Sequence, residues 1–328
     1  MAACAGSTTG GGSGPVKLRL GYLTNLTHAT ALVGVSKGYF AKYVGGANLQ
    51  TTTFNAGPDE VEALLSNSID AAFVGPNPAI TAFVRSHGTA IRVVAGAASG
   101  GAGLVVAPSI KSAADLKGKT LATPQLGNTQ DVALRYWLKQ QGYTTSTTGG
   151  GDVHIAPQDN AQTLETFKAG QIDGAWLPEP WVSRLVLEGG GKLLVDERKL
   201  WPQGKFATTL LVVRTDFLRA HPAAVKSLLQ GVVDANGFLA GQPAAAQIAA
   251  DDALAALTTK KLSSAVLSSS WQDLSFNEDP DATAVETAAQ HAHDLGLLSS
   301  PPDLRPLFDV TLLNEVLRGA HQPAVSVS

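Results

Sequence analysis

The sequence predicts an α/β protein of two lobes, each a mixed, mostly parallel sheet flanked by helices, joined by two hinge crossings. Three observations carry this. Strand and helix patterns alternate β-α-β-α-β over residues 16–75 and again over 119–177, and such alternation builds sheets covered by helices on both faces. The two runs share an internal echo: Leu64-Leu65-Ser66-Asn67-Ser68-Ile69-Asp70-Ala71-Ala72 and Phe167-Lys168-Ala169-Gly170-Gln171-Ile172-Asp173-Gly174-Ala175 each close a helix and open an Ile-Asp strand. Two short apolar strands set among flexible or polar residues, within Gly96–Ile110 and Phe206–Leu218, are suited to cross between the lobes.

Along the chain, VKLRLGYL from Val16 alternates and is rich in strand formers, and it ends in the polar loop Thr24–His28. A helix is expected from Ala29 to Tyr43, then a strand at Leu49–Phe54, a helix opened by the polar stretch Asn55–Glu60 and running through Leu65, and a strand at Ile69–Gly75. The second run gives a strand at Lys119–Pro124, a helix at Asp131–Gln140, a strand at Val153–Pro157, a helix at Asn160–Ala169 and a strand at Ile172–Leu177. From His221 only helical patterns follow (Ala224–Leu239, Ala244–Leu257, Thr283–Leu295, Leu312–Arg318), with no further sheet, and these most simply pack on the first lobe. Residues 15–104 and 208–328 are thus expected to form the first lobe, 105–207 the second, and 1–14 a disordered tether.

Length and charge narrow the function classes. The chain of 328 residues suits about two domains. A net charge of −3 with interspersed signs offers no basic face to nucleic acid. No apolar run approaches the ~20 residues needed to span a bilayer. Cys4 is the sole cysteine, so no internal disulfide can form. Met1-Ala2-Ala3-Cys4 resembles the end of a bacterial lipoprotein signal, ahead of the flexible AGSTTGGGSG. On that reading Cys4 is lipidated and the protein hangs from the outer face of a membrane.

Catalysis finds little support in the residues. His291 and His293, two apart on a helical pattern, face different directions and do not suggest a metal site. There is no G-x-S-x-G elbow, and GAASGGAG lacks both the Walker lysine and dinucleotide spacing. No cofactor is implied.

Binding fits better, because polar residues cluster in loops that follow strands: Asn25 and His28; Asn77; Ser99 with Gly100; Gln125, Asn128, Thr129 and Gln130; and Glu179 between Trp176 and Trp181. Ligands gather at the carboxyl ends of strands in such sheets. Within LATPQLGNTQDVALRYWL the 125–130 turn opens an amphipathic helix whose free N–H groups favour an anion. Each loop taken singly reads more simply as a plain turn; five of them at matched strand ends argue for a site. His28 either donates to an oxyanion or caps the following helix, and the tryptophans either wall a ligand or pack a core. Glu179 would repel an anion unless it faces a ligand amine or pairs elsewhere.

GYLTNLTHATALVGVSKGYF, IDAAFVGPNPAI, DLKGKTLATPQLGNTQ and PEPWVSRLVLEGGGKLLVDE together resemble the solute-binding proteins of ABC importers, in the branch for aliphatic sulfonates, taurine and nitrate. The resemblance spans Val16 to about Leu239. It implies a type II periplasmic-binding-protein-like fold, a monomer outside the cytoplasm, and a small sulfonate-type anion captured by hinge closure and delivered to permease subunits. Nitrate, taurine and a thiamine-precursor pyrimidine are the other ligands it implies. Desulfinase-like and pyrimidine-synthase-like enzymes look like relatives of the same fold, but this sequence lacks the cysteines those need. On this reading Gln125, Asn128, Thr129 and Gln130 hold the acid group from the second lobe, Asn25, His28, Asn77, Ser99 and Gly100 meet it from the first, and Trp176 and Trp181 limit its tail, with Glu179 between them.

Overall fold

The computed structural model describes residues 16–327; the expected tether and Cys4 lie outside them. The chain runs through β1 (Leu18–Leu23), α1 (Ala29–Ser36), α2 (Tyr39–Val44), β2 (Leu49–Phe54), α3 (Gly57–Leu65), β3 (Ala71–Val74), α4 (Pro76–Arg85) and β4 (Ile91–Gly100). It continues through β5 (Ala102–Val106), β6 (Thr120–Thr123), α5 (Thr129–Gln140), β7 (His154–Pro157), α6 (Asn160–Lys168), β8 (Gly174–Pro178), α7 (Trp181–Leu187) and β9 (Lys192–Asp196). Then follow β10 (Ala207–Arg214), α8 (Thr215–Ala220), α9 (Pro222–Gly241), α10 (Pro243–Thr258), α11 (Ser264–Gln272), β11 (Leu274–Phe276), α12 (Ala282–Asp294) and α13 (Thr311–Gly319).

Two sheets result, in the orders β11-β4-β10-β3-β1-β2 and β7-β6-β8-β5-β9. In each, the β-α-β-α-β run supplies three parallel strands, β2-β1-β3 and β7-β6-β8. The strands that cross between lobes join antiparallel: β10 beside β3 and β4, and β5 beside β8 and β9. The sheets are therefore more evenly mixed than expected, because a crossing strand arrives without a crossover helix and need not run parallel.

The Ile-Asp echo has the same job in both sheets. Asp70, buried just before β3, accepts from Arg19 N at 2.9 Å, and its own N–H donates to Arg19 O at 2.8 Å. Asp173, just before β8, accepts from Thr120 N at 2.9 Å and donates to Thr120 O at 2.8 Å. Each aspartate thus clips the third parallel strand to the first and fixes the register Leu20↔Ala71 or Leu121↔Gly174. Arg19 and Arg214 add charge to the Asp70 clip, and Lys119 to the Asp173 clip.

The chain leaves the first sheet at Gly100 and Gly101, with φ of 81° and 70°, and returns through two 3-10 turns between Asp196 and Ala207. The left-handed region disfavours any residue with a Cβ. β5, which spans residues 104 and 105, belongs to the second sheet. Gly38, at φ 73°, splits the helix expected over Ala29–Tyr43 into α1 and α2. Asn77, expected in a loop after the strand ending at Gly75, stands in the first turn of α4, for which Pro76 at the helix start is well suited.

Away from the edge strands, of which β2 is largely exposed, each sheet is covered on both faces. In the first lobe α1, α2, α9, α10 and α13 cover one face and α3, α4 and α12 the other. In the second, α5 covers one face and α6 with α7 the other. The helices after His221 do not pack on the first lobe alone: α11 meets α7 and α12 meets α5, with Tyr136 stacked on His291 at 3.6 Å. β11 adds an edge strand where none was expected, its three residues being too short to show alternation.

The glycines give one test of this frame. A Cβ on Gly101 would collide with Leu274 Cδ2, whereas one on Gly237, inside α9, meets nothing within 4 Å. Gly101→Ala is expected to lower unfolding free energy by about 1–2 kcal/mol or more, and Gly237→Ala to raise it by about 0.5–1 kcal/mol, both read from urea denaturation.

Candidate functional site

The carboxyl ends of the two sets of parallel strands face each other across a small cavity. From the first lobe come Leu23, Asn25, Thr27 and His28 after β1, Asn55 after β2 and Gly75 after β3. From the second come Pro124, Asn128, Thr129 and Gln130 after β6, Asn160 after β7 and Pro178 at the end of β8; Thr208 of β10 completes the wall. The volume is about 20 Å³, near that of one water position, so the lobes are closed upon it.

Four helices begin at this cavity: α3 just after Asn55, α4 at Gly75, α5 at Asn128 and α6 at Asn160. No side chain caps any of them. Their first-turn N–H groups therefore lack the partner that a capping side chain would give, and the helix dipoles make the space receptive to negative charge. Two further polar atoms here are buried without a partner, Thr129 Oγ1 and Asn160 Oδ1. A half-turn of the Asn160 amide presents its NH2 instead.

The cavity wall holds no charged side chain. Burial pushes the His28 imidazole down to about 3, so it is neutral. Its Nε2 lies 3.0 Å from Phe73 O and therefore donates there, leaving Nδ1 to accept from Thr27 Oγ1 at 3.2 Å. Beneath the α5 turn, Asp131 is fully buried and accepts from Thr123 Oγ1 (2.9 Å), Gly127 N (3.0 Å) and Arg135 Nε (2.9 Å). This pair fixes the 123–131 turn, and Arg135 neutralises the one carboxylate that would oppose an anion.

The sequence-expected residues divide. Asn25, His28, Asn128, Thr129 and Gln130 line the cavity. His28 does so without a free donor, since both ring nitrogens are engaged. Asn77 turns away and donates to Ala288 O at 3.3 Å. Ser99 lines a groove on the far side of the crossing, and its Oγ accepts from Phe206 N at 3.3 Å. Gly100 forms the crossing, its carbonyl taken by Thr208 Oγ1. Gln125 sits at the rim and reaches Asp59 of the other lobe at 3.1 Å.

Trp176 is not a cavity wall: it is fully buried in the second-lobe core and donates to Glu197 at 2.7 Å. Trp181 stands at the mouth, donating to Asn25 Oδ1 at 2.9 Å. Glu179 faces away, accepting from Ser183 N (3.1 Å), Ser183 Oγ (2.9 Å) and Ser270 Oγ (2.8 Å) beside the crossing. Thr27, Asn55, Asn160 and Thr208 went unremarked as site residues. Asn55 and Asn160 carry a readable signal, an amide placed where a strand ends and a helix begins.

A family model described as the NMT1-like family matches residues 11–254. The chain belongs to this family. Among curated relatives, it is 28% identical over 209 residues to the taurine-binding periplasmic protein of Escherichia coli K12, covering 63% of this chain and 62% of that protein. Its fold is similar to that of the alkanesulfonate-binding protein SsuA from Xanthomonas axonopodis pv. citri bound to MOPS, with a TM-score of 0.74, 22% identity, and coverage of 91% of this chain and 99% of that one. It is also similar to the periplasmic nitrate-binding protein NrtA from Synechocystis PCC 6803, with a TM-score of 0.80, 17% identity, and coverage of 94% and 91%. The NMT1-like chain thus has the two-sheet fold of periplasmic binding proteins.

Two outcomes test the groups around the site. Arg135→Met strands the Asp131 charge, and an unfolding free energy lower by about 3–5 kcal/mol is expected from urea denaturation. Burial pushes Glu179 up to about 7 from an ordinary 4.5. A raised carboxyl contributes stability in full at acid pH and loses it as pH rises through the folded-state value. The stability of the parent relative to Glu179→Gln is therefore expected to fall between pH 5 and 8, by on the order of 1–3 kcal/mol, as read from urea midpoints across that range.

Proposed function

We propose that this protein is the extracytoplasmic, lipid-anchored binding component of an ABC importer, capturing a small organosulfonate-type anion and delivering it to permease subunits. The observation that carries the reading is the convergence of four uncapped helix N-termini on a cavity without charged side chains, together with unpartnered Thr129 Oγ1 and Asn160 Oδ1. A sulfonate has three acceptor oxygens and remains ionised, so neutral N–H and O–H donors suffice for it. The taurine- and alkanesulfonate-binding relatives support this class. Anchoring at Cys4, and action as a monomer, belong to the same reading; among the described residues no helix is long and apolar enough to cross a membrane.

Capture requires the lobes to part, because the closed cavity, at about 20 Å³, has no room for a ligand of several atoms. Opening breaks Leu26 N to Glu179 O, Trp181 Nε1 to Asn25 Oδ1 and Gln125 Nε2 to Asp59. A ligand that bridges both walls favours the closed form by its extra contacts there. The small cavity also favours a second reading, a planar oxyanion such as nitrate, which needs less room.

Calorimetry of the purified protein with methanesulfonate, taurine, nitrate and a hydroxymethyl-pyrimidine separates these readings. Sulfonate binding without pH dependence over pH 6–9 is expected, and binding of nitrate alone would overturn the sulfonate assignment. Thr129→Val and Asn160→Leu each remove one group that faces the ligand. Each is expected to weaken sulfonate binding about 10- to 100-fold, corresponding to ~1.5–3 kcal/mol for a hydrogen bond to a charged group, with melting temperature unchanged or higher.

A further inference from the structure

Behind the cavity a row of four rings runs from the returning crossing to the second lobe. Phe206, just before β10, stacks on Trp201 with 5.6 Å between centroids and 16° between planes. Trp201 meets His291 of α12 at 5.6 Å, and His291 lies on Tyr136 of α5 at 3.6 Å and 14°. α12 is fixed to the first lobe: its Ala288 carbonyl accepts from Asn77, and Val285, Ala289 and Ala292 share a core cluster with Ile80 and Phe83 of α4. α5 belongs to the second lobe and opens with the 125–130 turn. The stack of Tyr136 on His291 is therefore a contact between lobes. Three residues further along each helix there is another, where Lys139 Nζ donates to Asp294 O. Thr129 joins this junction to the site, since it lines the ligand cavity and also the small gap bounded by Val132, Trp201, Phe206 and His291.

We infer that this aromatic row is the latch of the closed form: Tyr136 and His291, neither of which lines the ligand cavity, hold the start of α5 against the first lobe and so set how tightly a ligand is kept. The inference rests on the cavity being the ligand site, not on which anion fills it. Parting the lobes separates the two rings, and ring attraction is lost beyond about 7 Å between centroids. Trp201 brings the crossing into the same row, so the path of the returning chain and the seat of α5 are coupled through one imidazole. Burial holds that imidazole below its ordinary range, and at neutral pH it packs as an uncharged ring.

The test compares the full chain with its Tyr136→Ala, His291→Ala and His291→Phe variants and with the double variant carrying both alanines. Small-angle X-ray scattering without added ligand reads closure, and calorimetry with methanesulfonate reads binding. Both rings are only half-buried, so all variants are expected to fold, with melting temperature as the check. Each alanine variant is expected to have a larger radius of gyration than the parent, and His291→Phe, which keeps a ring in place, the parent's radius. Methanesulfonate binding is expected to weaken about 3- to 10-fold in each alanine variant, the loss of one ring pair, and by less than about twofold in His291→Phe. The double variant is expected to lose no more than either single one, because either substitution dissolves the same stack. Unchanged radii or unchanged affinity in both alanine variants, additive losses in the double variant, or binding by His291→Phe as weak as by His291→Ala would overturn the latch. Radii that change as expected in a chain that binds no methanesulfonate would support the latch and overturn the sulfonate assignment instead.

Discussion

A buried polar atom without a partner costs about 1–3 kcal/mol, and this protein concentrates that cost in one place. Thr129 Oγ1, Asn160 Oδ1 and the first-turn N–H groups of four uncapped helices all meet between the two sheets. In the closed form the space holds about one water, so solvent can satisfy all of them only when the lobes are apart. On the proposed reading a ligand rich in acceptors takes the N–H groups and the Thr129 hydroxyl in the closed form, with the Asn160 amide turned to present its NH2, so that binding and closure become a single event. The absence of charge from the wall has the same logic. Dipoles fixed by helices keep their orientation in a desolvated space, whereas a lysine there would have to be stripped of water first.

The geometry rests on two small devices. The paired aspartates, Asp70 and Asp173, lock the third parallel strand of each sheet against the first. Every loop that lines the cavity hangs from one of these strands or their neighbours, so register there sets donor positions at the cleft. The Gly100–Gly101 crossing turns the chain from one sheet into the other in a conformation that a Cβ would not tolerate, and it brings the carboxyl ends of both sheets face to face.

Ionisable groups near this frame are neutral, paired or turned from the cavity. His28 is neutral because burial removes the water that its cation would need. The Asp131 carboxylate has a guanidinium at 2.9 Å. Glu179 and Glu197 flank the outgoing and returning crossings, and burial pushes each up to about 7. Held by serine donors in one case and by the Trp176 indole in the other, they sit behind the cavity wall, not in it.

The sequence by itself determined the α/β class, the repeated strand-helix grammar and the glycine turn that opens a helix at 125–130, because hydrophobic period and glycine placement are local properties of the chain. The Ile-Asp echo was legible too, although its role as a clip needed both strands in view. What only the tertiary structure decided is which polar residues face the same space. Asn77, Ser99 and Trp176 stand in loops and strand ends as suggestive as those of Asn25 or Thr129, yet they face α12, a rear groove and the second-lobe core. Asn55 and Asn160 looked like ordinary helix starts and prove to line the cavity. Direction depends on the turn of each helix and the packing of its neighbours, and those are fixed by residues distant in sequence, such as the helices after His221 that bridge the two lobes.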